Sequence, residues 1–289
     1  MKQGRFQFTL KRILVPLDAS EHSMAALNIA AELAAAQRAE LEGLFVEDIN
    51  LLQLCEFPFV REISYWGTSL RPIDRLETER QLRVRAQQLK MILANVARKH
   101  NVPWKFRVTR GGVPSEVLAA AENADLTVLG GSGWSMHRSR MAGSTVRSLV
   151  LQGRGLTLII QKGMLFQPPV QVLFTGSELS ERALSLALTL SRKKDLSVLF
   201  LIAFGEQEMV DKIEGQVKEI CAGQSVQVAM RVLPFTDLDK IAATSRSLGS
   251  GPMFIPCEEP HLYGEKLQEL ISSMDNPVFL VRQKTEESA

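Results

Sequence analysis

Three glycines and two hydroxyls near the middle of the chain are spaced as an anion cradle would be. Two residues separate Gly130 from Gly133, nine more lead to Gly143, and Ser144 and Thr145 follow directly. The apolar run Leu126-Thr-Val-Leu129 stands before the first glycine, and the helix-like run Thr145-Val-Arg-Ser-Leu-Val150 stands after the last. This reads as strand, glycine loop, helix. Glycine lets a backbone approach a ligand with no Cβ in the way. The amides at a helix N-terminus then face the ligand, and the helix dipole favours a negative charge there. The hydroxyls of Ser144 and Thr145 add donors. Phosphate binding is the chemistry this spacing suggests, against the plain alternative of a glycine-rich turn without a ligand. The pattern lacks the Lys-Ser/Thr ending of a P-loop, and its spacing is not G-x-G-x-x-G.

Such a loop needs a sheet behind it, and the flanking sequence supplies one. Lys11–Leu17 is a short apolar strand, broken by Asp18-Ala-Ser20, whose side chains suit a helix N-cap. Leu27, Ala31 and Ala34 mark one face of the helix that follows. A second strand covers 41–47. A long helix over about 75–100 carries Leu82, Ala86, Leu89, Leu93 and Val96 at alternating steps of four and three. Its Arg75, Arg80, Arg83 and Arg85, interleaved with Glu77 and Glu79, read as a solvated, ion-paired face. Trp104–Val108, Leu126–Leu129 and Leu156–Ile160 are further strands, and Pro114-Ser-Glu opens a helix between the first two. Alternating strands and helices predict a parallel, doubly wound sheet.

The pattern is written twice. Shifted by 157 positions, Val15, Ser20, Glu21, Ser23, Ala26 and Leu27 recur as Val172, Ser177, Glu178, Ser180, Ala183 and Leu184. Strands are expected near 196–203, 226–233, 252–256 and 277–282, with helices near 207–222 and 236–247. So long a repeat means tandem domains. The boundary falls at 163/164, and Met164–Pro169 with its two prolines forms the linker. The second copy lacks a counterpart of the segment 49–74 and of the glycine loop. It has Thr175 in place of Asp18, and Pro256 and Cys257 where glycines would stand. Its Glu258 and Glu259 point to where phosphates would lie.

Charge divides along the same line. Residues 1–163 hold 22 Lys/Arg against 15 Asp/Glu, and residues 164–289 hold 12 against 17. A positive first half suits a phosphate ligand, although two oppositely charged halves also simply attract. The overall charge of +2 gives no case for nucleic-acid binding. Cys55, Cys221 and Cys257 have no paired spacing and read as ordinary thiols. The polar start and the absence of a long apolar run predict a soluble cytoplasmic protein that neither carries a signal peptide nor spans a membrane.

The spacing G-x2-G-x9-G-[S/T], the opening Ile13-Leu-Val-Pro-Leu-Asp18-Ala-Ser20 and the strand ending Leu44-Phe-Val46 together resemble the universal stress protein family. The resemblance implies two tandem α/β domains of five parallel strands, in the order 3-2-1-4-5 of the adenine nucleotide alpha hydrolase-like fold. The first domain (1–163) would carry an intact ATP-binding motif and the second (164–289) would be degenerate. It implies ATP or AMP as ligand, with magnesium, pairing of the two domains within the chain, and a homodimer. Carried over by position, Pro16 and Leu17 would line the adenine pocket. Val46 would present main-chain groups to the adenine edge, and Asp18 would meet the ribose or a magnesium-linked phosphate, beside Ser20. Leu129, Gly130 and Gly133 would shape the phosphate loop, and Gly143, Ser144 and Thr145 would donate to it. Ser132 stands where the family commonly has His or Arg, and Arg138 or Arg140 would compensate. Asp18 as a helix cap only, His137 as a solvated side chain and Trp134 as a cover for the loop remain open alternatives. A nucleotide-binding regulatory module leads. A slow ATPase has no evident base, carboxylate pair or nucleophile to support it, and a scaffold with a vestigial loop is the third reading. The apolar segment 49–74 is expected to fold over the sheet edge, as a lid or as permanent packing.

Overall fold

The computed structural model describes residues 9–57, 60–63, 70–72, 74–131, 143–160, 163–164, 166–191, 198–202, 207–222, 228–233, 238–258 and 262–283. In chain order the first elements are β1 (Arg12–Pro16), α1 (Glu21–Gln37), β2 (Glu40–Asp48), α2 (Ile49–Leu54), the antiparallel pair β3 (Arg61–Ile63) and β4 (Leu70–Pro72), and α3 (Arg75–Lys99). Then come β5 (Trp104–Gly111), α4 (Val113–Glu122), β6 (Leu126–Gly130), α5 (Ser144–Gln152) and β7 (Leu156–Ile160). The remainder is β8 (Val170–Phe174), α6 (Glu178–Ser191), β9 (Val198–Ile202), α7 (Gln207–Cys221), β10 (Val228–Val232), α8 (Leu238–Leu248), β11 (Met253–Pro256), α9 (Gly264–Ser273) and β12 (Val278–Val281).

One ten-stranded sheet runs β5-β2-β1-β6-β7-β12-β11-β8-β9-β10. Strands 1–5 of each half, counted along the chain, lie in the order 3-2-1-4-5 and pair in parallel. β7 and β12 join the halves antiparallel, with Ile159 opposite Val278 and Leu156 opposite Val281. Both joining strands are buried throughout. Strands buried on both faces read as unbroken apolar runs, which is why they were legible.

Each sheet face has its own core. Ile13, Val15 and Leu17 of the β1 segment join α1, α3, α6 and α7 on one face. Leu14, Leu44, Val46, Leu129 and Ile159 join α4, α5, α8 and α9 on the other. The stripe of α3 packs as its spacing implies: Leu82, Ala86, Leu89 and Leu93 are buried, with Val96 half-buried beside them. Fully burying a leucine contributes about 1.5–3 kcal/mol, so this stripe alone fixes α3 to the sheet. The arginines of its first turns do pair along the helix, Arg83 with Glu79 and Arg80 with Glu77.

The segment after β2 starts with α2, capped by Asp48, whose carboxylate accepts from the Asn50 amide at 2.9 Å. Leu52 is buried in the α1–α3 core, while Leu51, Leu54 and Phe57 stay exposed. The Cys55 thiol reaches Thr78 and Arg75 pairs with Glu56, so residues 55–56 are tied to the start of α3. Phe59, Tyr65 and Trp66 lie outside the described residues.

Candidate functional site

The strand order reverses between β1 and β6, so connections leave these neighbours in opposite directions. A crevice opens there at the carboxyl ends of the strands. Pro16 ends β1 half-buried, and Leu17 follows with its amide donated to Leu44 O at 2.8 Å. Asp18 and Ala19 form the turn into α1, with Ala19 at φ 66°. Ser20 is the N-cap: its hydroxyl accepts from the Ser23 amide at 3.1 Å, and the Ser23 hydroxyl donates back to Ser20 O at 3.0 Å. Asp18 is therefore not the cap. Its carboxylate accepts the Ser20 amide at 2.9 Å and otherwise stays at the exposed rim. Partial burial pushes the Asp18 carboxyl up, but hydrogen bonds from Ser20, Ser23 and its own backbone outweigh this and hold it below the usual value. An ionised oxygen remains available at the mouth of the crevice.

β6 forms the other wall. Leu129 is buried in the α4–α5 core. Gly130 has no positive φ; its glycine is required by close approach. A Cβ there would lie 2.4 Å from the carbonyl carbon of His22 and 2.6 Å from the Ser23 amide. The first turn of α1 can thus lie directly on the end of β6. Gly131 continues the ladder by donating to Ile160 O at 2.8 Å. Ser132, Gly133, Trp134, His137, Arg138 and Arg140 lie outside the described residues.

The chain re-enters at Gly143, the N-cap of α5. It has φ −51°, makes no side-chain cap bond, and has open space around a would-be Cβ. No conformational demand explains a glycine at this position. Ser144 is exposed and Thr145 half-buried, and the first turn of α5 contains no acidic residue. Arg147, also exposed, sits one turn in, its amide donating to Gly143 O.

On the β2 side, Leu44 faces β1. Two residues on, the N–H and C=O of Val46 point the same way, past the end of β1. The Val46 side chain is buried on the α4–α5 face. Neighbouring Glu47 is nearly buried and is met by Arg110 at 2.8 Å, which also reaches Glu79 at 3.4 Å. The hydrogen bond and charge of Glu47 raise the Arg110 pKa against a smaller effect of desolvation, and Glu79 adds a lesser upward push. The carboxylate next to Val46 is thereby neutralised. Sequence reasoning missed this pairing because Glu47 and Arg110 meet only through the β2–β5 register.

Of the expected site residues, the structure brings the Asp18–Ser20 turn, Gly130, the backbone of Val46 and the start of α5 to one end of the sheet. The Leu17 side chain packs in the α1–α3 core, near Gly43. Among the described residues no group of three or more His, Cys, Asp or Glu is placed to hold a metal ion, and no helix is long and apolar enough to cross a membrane.

The second half has the same frame with different contents. Ser177 and Ser180 repeat the Ser20–Ser23 exchange, at 3.1 and 2.8 Å. Cys257 donates to Val281 O at 2.8 Å, as Gly131 does to Ile160 O. Between β8 and β11, however, the Thr175 hydroxyl donates to the Glu258 carboxylate and so bridges the crevice. Pro256 ends β11 without an amide donor. Glu259 lies outside the described residues.

Residues 9–54 match the universal stress protein family. The match covers β1, α1, β2 and α2, including the Asp18–Ser20 turn and Val46. Over nearly its full length the chain is similar to a universal stress protein from Archaeoglobus fulgidus DSM 4304. The TM-score is 0.76 at 16% identity, covering 96% of this chain and 100% of that one. A functionally unknown protein from Pseudomonas aeruginosa PAO1 superposes with a TM-score of 0.61 at 13% identity, covering 95% of this chain and 93% of that one. A universal stress protein from Archaeoglobus fulgidus in complex with dAMP is 15% identical over 41% of this chain and 100% of that one, with a TM-score of 0.34. No curated protein matches the chain. The first two likenesses establish an α/β fold with the strand order 3-2-1-4-5.

Proposed function

We propose that this chain is a tandem universal stress protein, an adenine-nucleotide-binding regulatory protein with one site per chain. The site lies in a first domain (1–163), and a second domain (164–289) is degenerate. One observation carries the reading: the two crevices share a frame, and each is followed by a helix without a side-chain cap, yet one is lined by an ionised carboxylate and the other is bridged by Thr175 and Glu258. The amides and hydroxyls of Gly143, Ser144 and Thr145, with the Gly130–Gly133 loop, would hold phosphates. Val46 would offer a donor and an acceptor to the adenine edge. Asp18 would bind the ribose, or a magnesium ion carried by ATP. Binding would order the glycine loop and shift the protein between partners or conformations in the cytoplasm. Pairing through β7 and β12 would set the two domains against each other, and a homodimer would extend the assembly. Calorimetric titration with AMP, and with ATP and magnesium, is expected to give a stoichiometry near one, with binding weakened by Asp18→Ala. Two equivalent sites would defeat the degenerate second domain, and no binding of either nucleotide would defeat the whole reading.

A further inference from the structure

Helix α5 starts at the proposed phosphate site and ends on the other half of the molecule. It has nine residues and no basic side chain in its last turn. A helix that short is marginal by itself, so its position depends on what holds its ends. Arg282, the first residue after β12, supplies that hold. It is 7% exposed, and its Nη2 donates to Val150 O at 2.8 Å, a carbonyl in the last turn of α5. Its backbone amide donates to Gly155 O at 3.2 Å, and its own carbonyl accepts from Arg182 at 3.3 Å. The Tyr263 hydroxyl reaches the next α5 carbonyl, Leu151 O, at 3.5 Å.

A guanidinium withdrawn from water needs compensating charge. Among the described residues no carboxylate pairs with Arg282, and its Nη1 is buried without a partner. Its bond to Val150 O sets it at the negative end of the α5 dipole, where a cation is favoured. That helix would bind phosphate at its opposite end, about 13 Å away at 1.5 Å per residue.

We propose that Arg282 is a positioning residue for the nucleotide site: the degenerate half contributes the charge that holds α5 by its carboxyl end and so fixes the amides at its amino end. This rests on the nucleotide-binding reading, and the test separates the two. In the full chain, Arg282→Gln removes the charge, whereas Arg282→Lys keeps it and gives up the planar fork. Two readouts are needed: AMP affinity by calorimetry, and hydrogen exchange of the backbone amides of 144–152. Arg282→Gln is expected to speed exchange in α5 and weaken AMP about tenfold, within the range of a partly buried helix-end charge. Arg282→Lys should fall between the variant and wild type. Wild-type affinity and wild-type α5 protection in Arg282→Gln would overturn the proposal. If the wild-type chain itself binds no AMP, the nucleotide reading fails, and α5 exchange alone decides: unchanged protection overturns the clamp and faster exchange supports it. If Arg282→Gln does not fold, Arg282→Lys decides by the same readouts, faster α5 exchange with weaker AMP binding than wild type supporting the clamp and wild-type values overturning it.

Discussion

The ends of β6 and β11 occupy equivalent places in two nearly identical frames, and they have opposite chemistry. In both, the amide after the strand bonds the neighbouring joining strand, Gly131 to Ile160 and Cys257 to Val281. Both face a helix whose first turn is closed by two serines. After β6 the chain takes residues 131–143 to reach a helix with open amides; after β11 it takes 257–263, and Glu258 turns back onto Thr175. A repeated fold therefore preserves the scaffold that builds a crevice without preserving what fills it. In the second half an internal carboxylate stands where the first half leaves room for an external anion.

The largest expected effect tests the scaffold itself. Gly130→Val would place a branched Cβ within 2.4–2.6 Å of the backbone of His22 and Ser23. Backbone cannot swing aside as a side chain can, so β6 and α1 must separate. A loss of roughly 3 kcal/mol is expected, at the upper end of overpacking costs. Chemical denaturation measures it, and wild-type stability would show that the close approach is not needed.

The second test divides the glycine motif. Gly143→Val meets nothing within 4 Å and requires no unusual φ. Stability should stay within about 1 kcal/mol of wild type, the scale of N-cap substitutions. Nucleotide affinity should nevertheless fall at least about tenfold, or 1.4 kcal/mol, because the side chain would enter the phosphate position. If affinity survives, the amino end of α5 is not the phosphate site. Gly130 and Gly143 thus belong to one spacing pattern for different reasons, one structural and the other expected to be functional.

That division marks how far the sequence could be read. Buried strands such as Leu156–Ile160 and the stripe of α3 are local patterns, and they were found within a residue or two. Helix α9 was missed, although Leu267, Leu270 and Ile271 have helical spacing. Its cap is Tyr263, which makes no side-chain cap bond, and Gly264 follows at φ 60°, so the usual start signals are absent. Ser20 was legible as a possible cap, but the choice between it and Asp18 depended on the turn at Ala19. Arg282 gave no signal at all, because its role exists only once β12 lies beside β7. The pairing of Glu47 with Arg110 was hidden for the same reason. Glu258 was anticipated near the phosphate position, but its bond to Thr175 was not.

The third test addresses the filled crevice. Thr175→Val keeps the shape and removes the hydroxyl that Glu258 and Ser177 share. A half-buried carboxylate then loses a donor, at an expected loss of about 1–2 kcal/mol. The double variant Thr175→Asp, Glu258→Gly should still bind one nucleotide per chain, since Pro256 has no amide to donate and the following connection is short. Two nucleotides per chain would mean that Glu258 alone had been blocking a competent site.

The smallest effect concerns the rim of the open crevice. Asp18 has a folded-state pKa below its unfolded value of about 3.9. A depressed carboxylate contributes stability that is present above the unfolded pKa and lost as pH falls through the folded one. Asn at this position can still accept the Ser20 amide, so Asp18→Asn isolates the charge from the turn. Without nucleotide, wild type should exceed the variant by less than about 1 kcal/mol at neutral pH, a small value because the group is solvent-screened. The gap should narrow as pH drops below about 4 and close once Asp18 is protonated in both states. Thr175, which holds the same place in the second half, has no charge to lose. Urea denaturation at half-unit pH steps resolves the two profiles. A wild-type advantage that grows on acidification would mean that burial, not the serine hydrogen bonds, governs Asp18, and the rim would then not hold an ionised oxygen ready for a ligand.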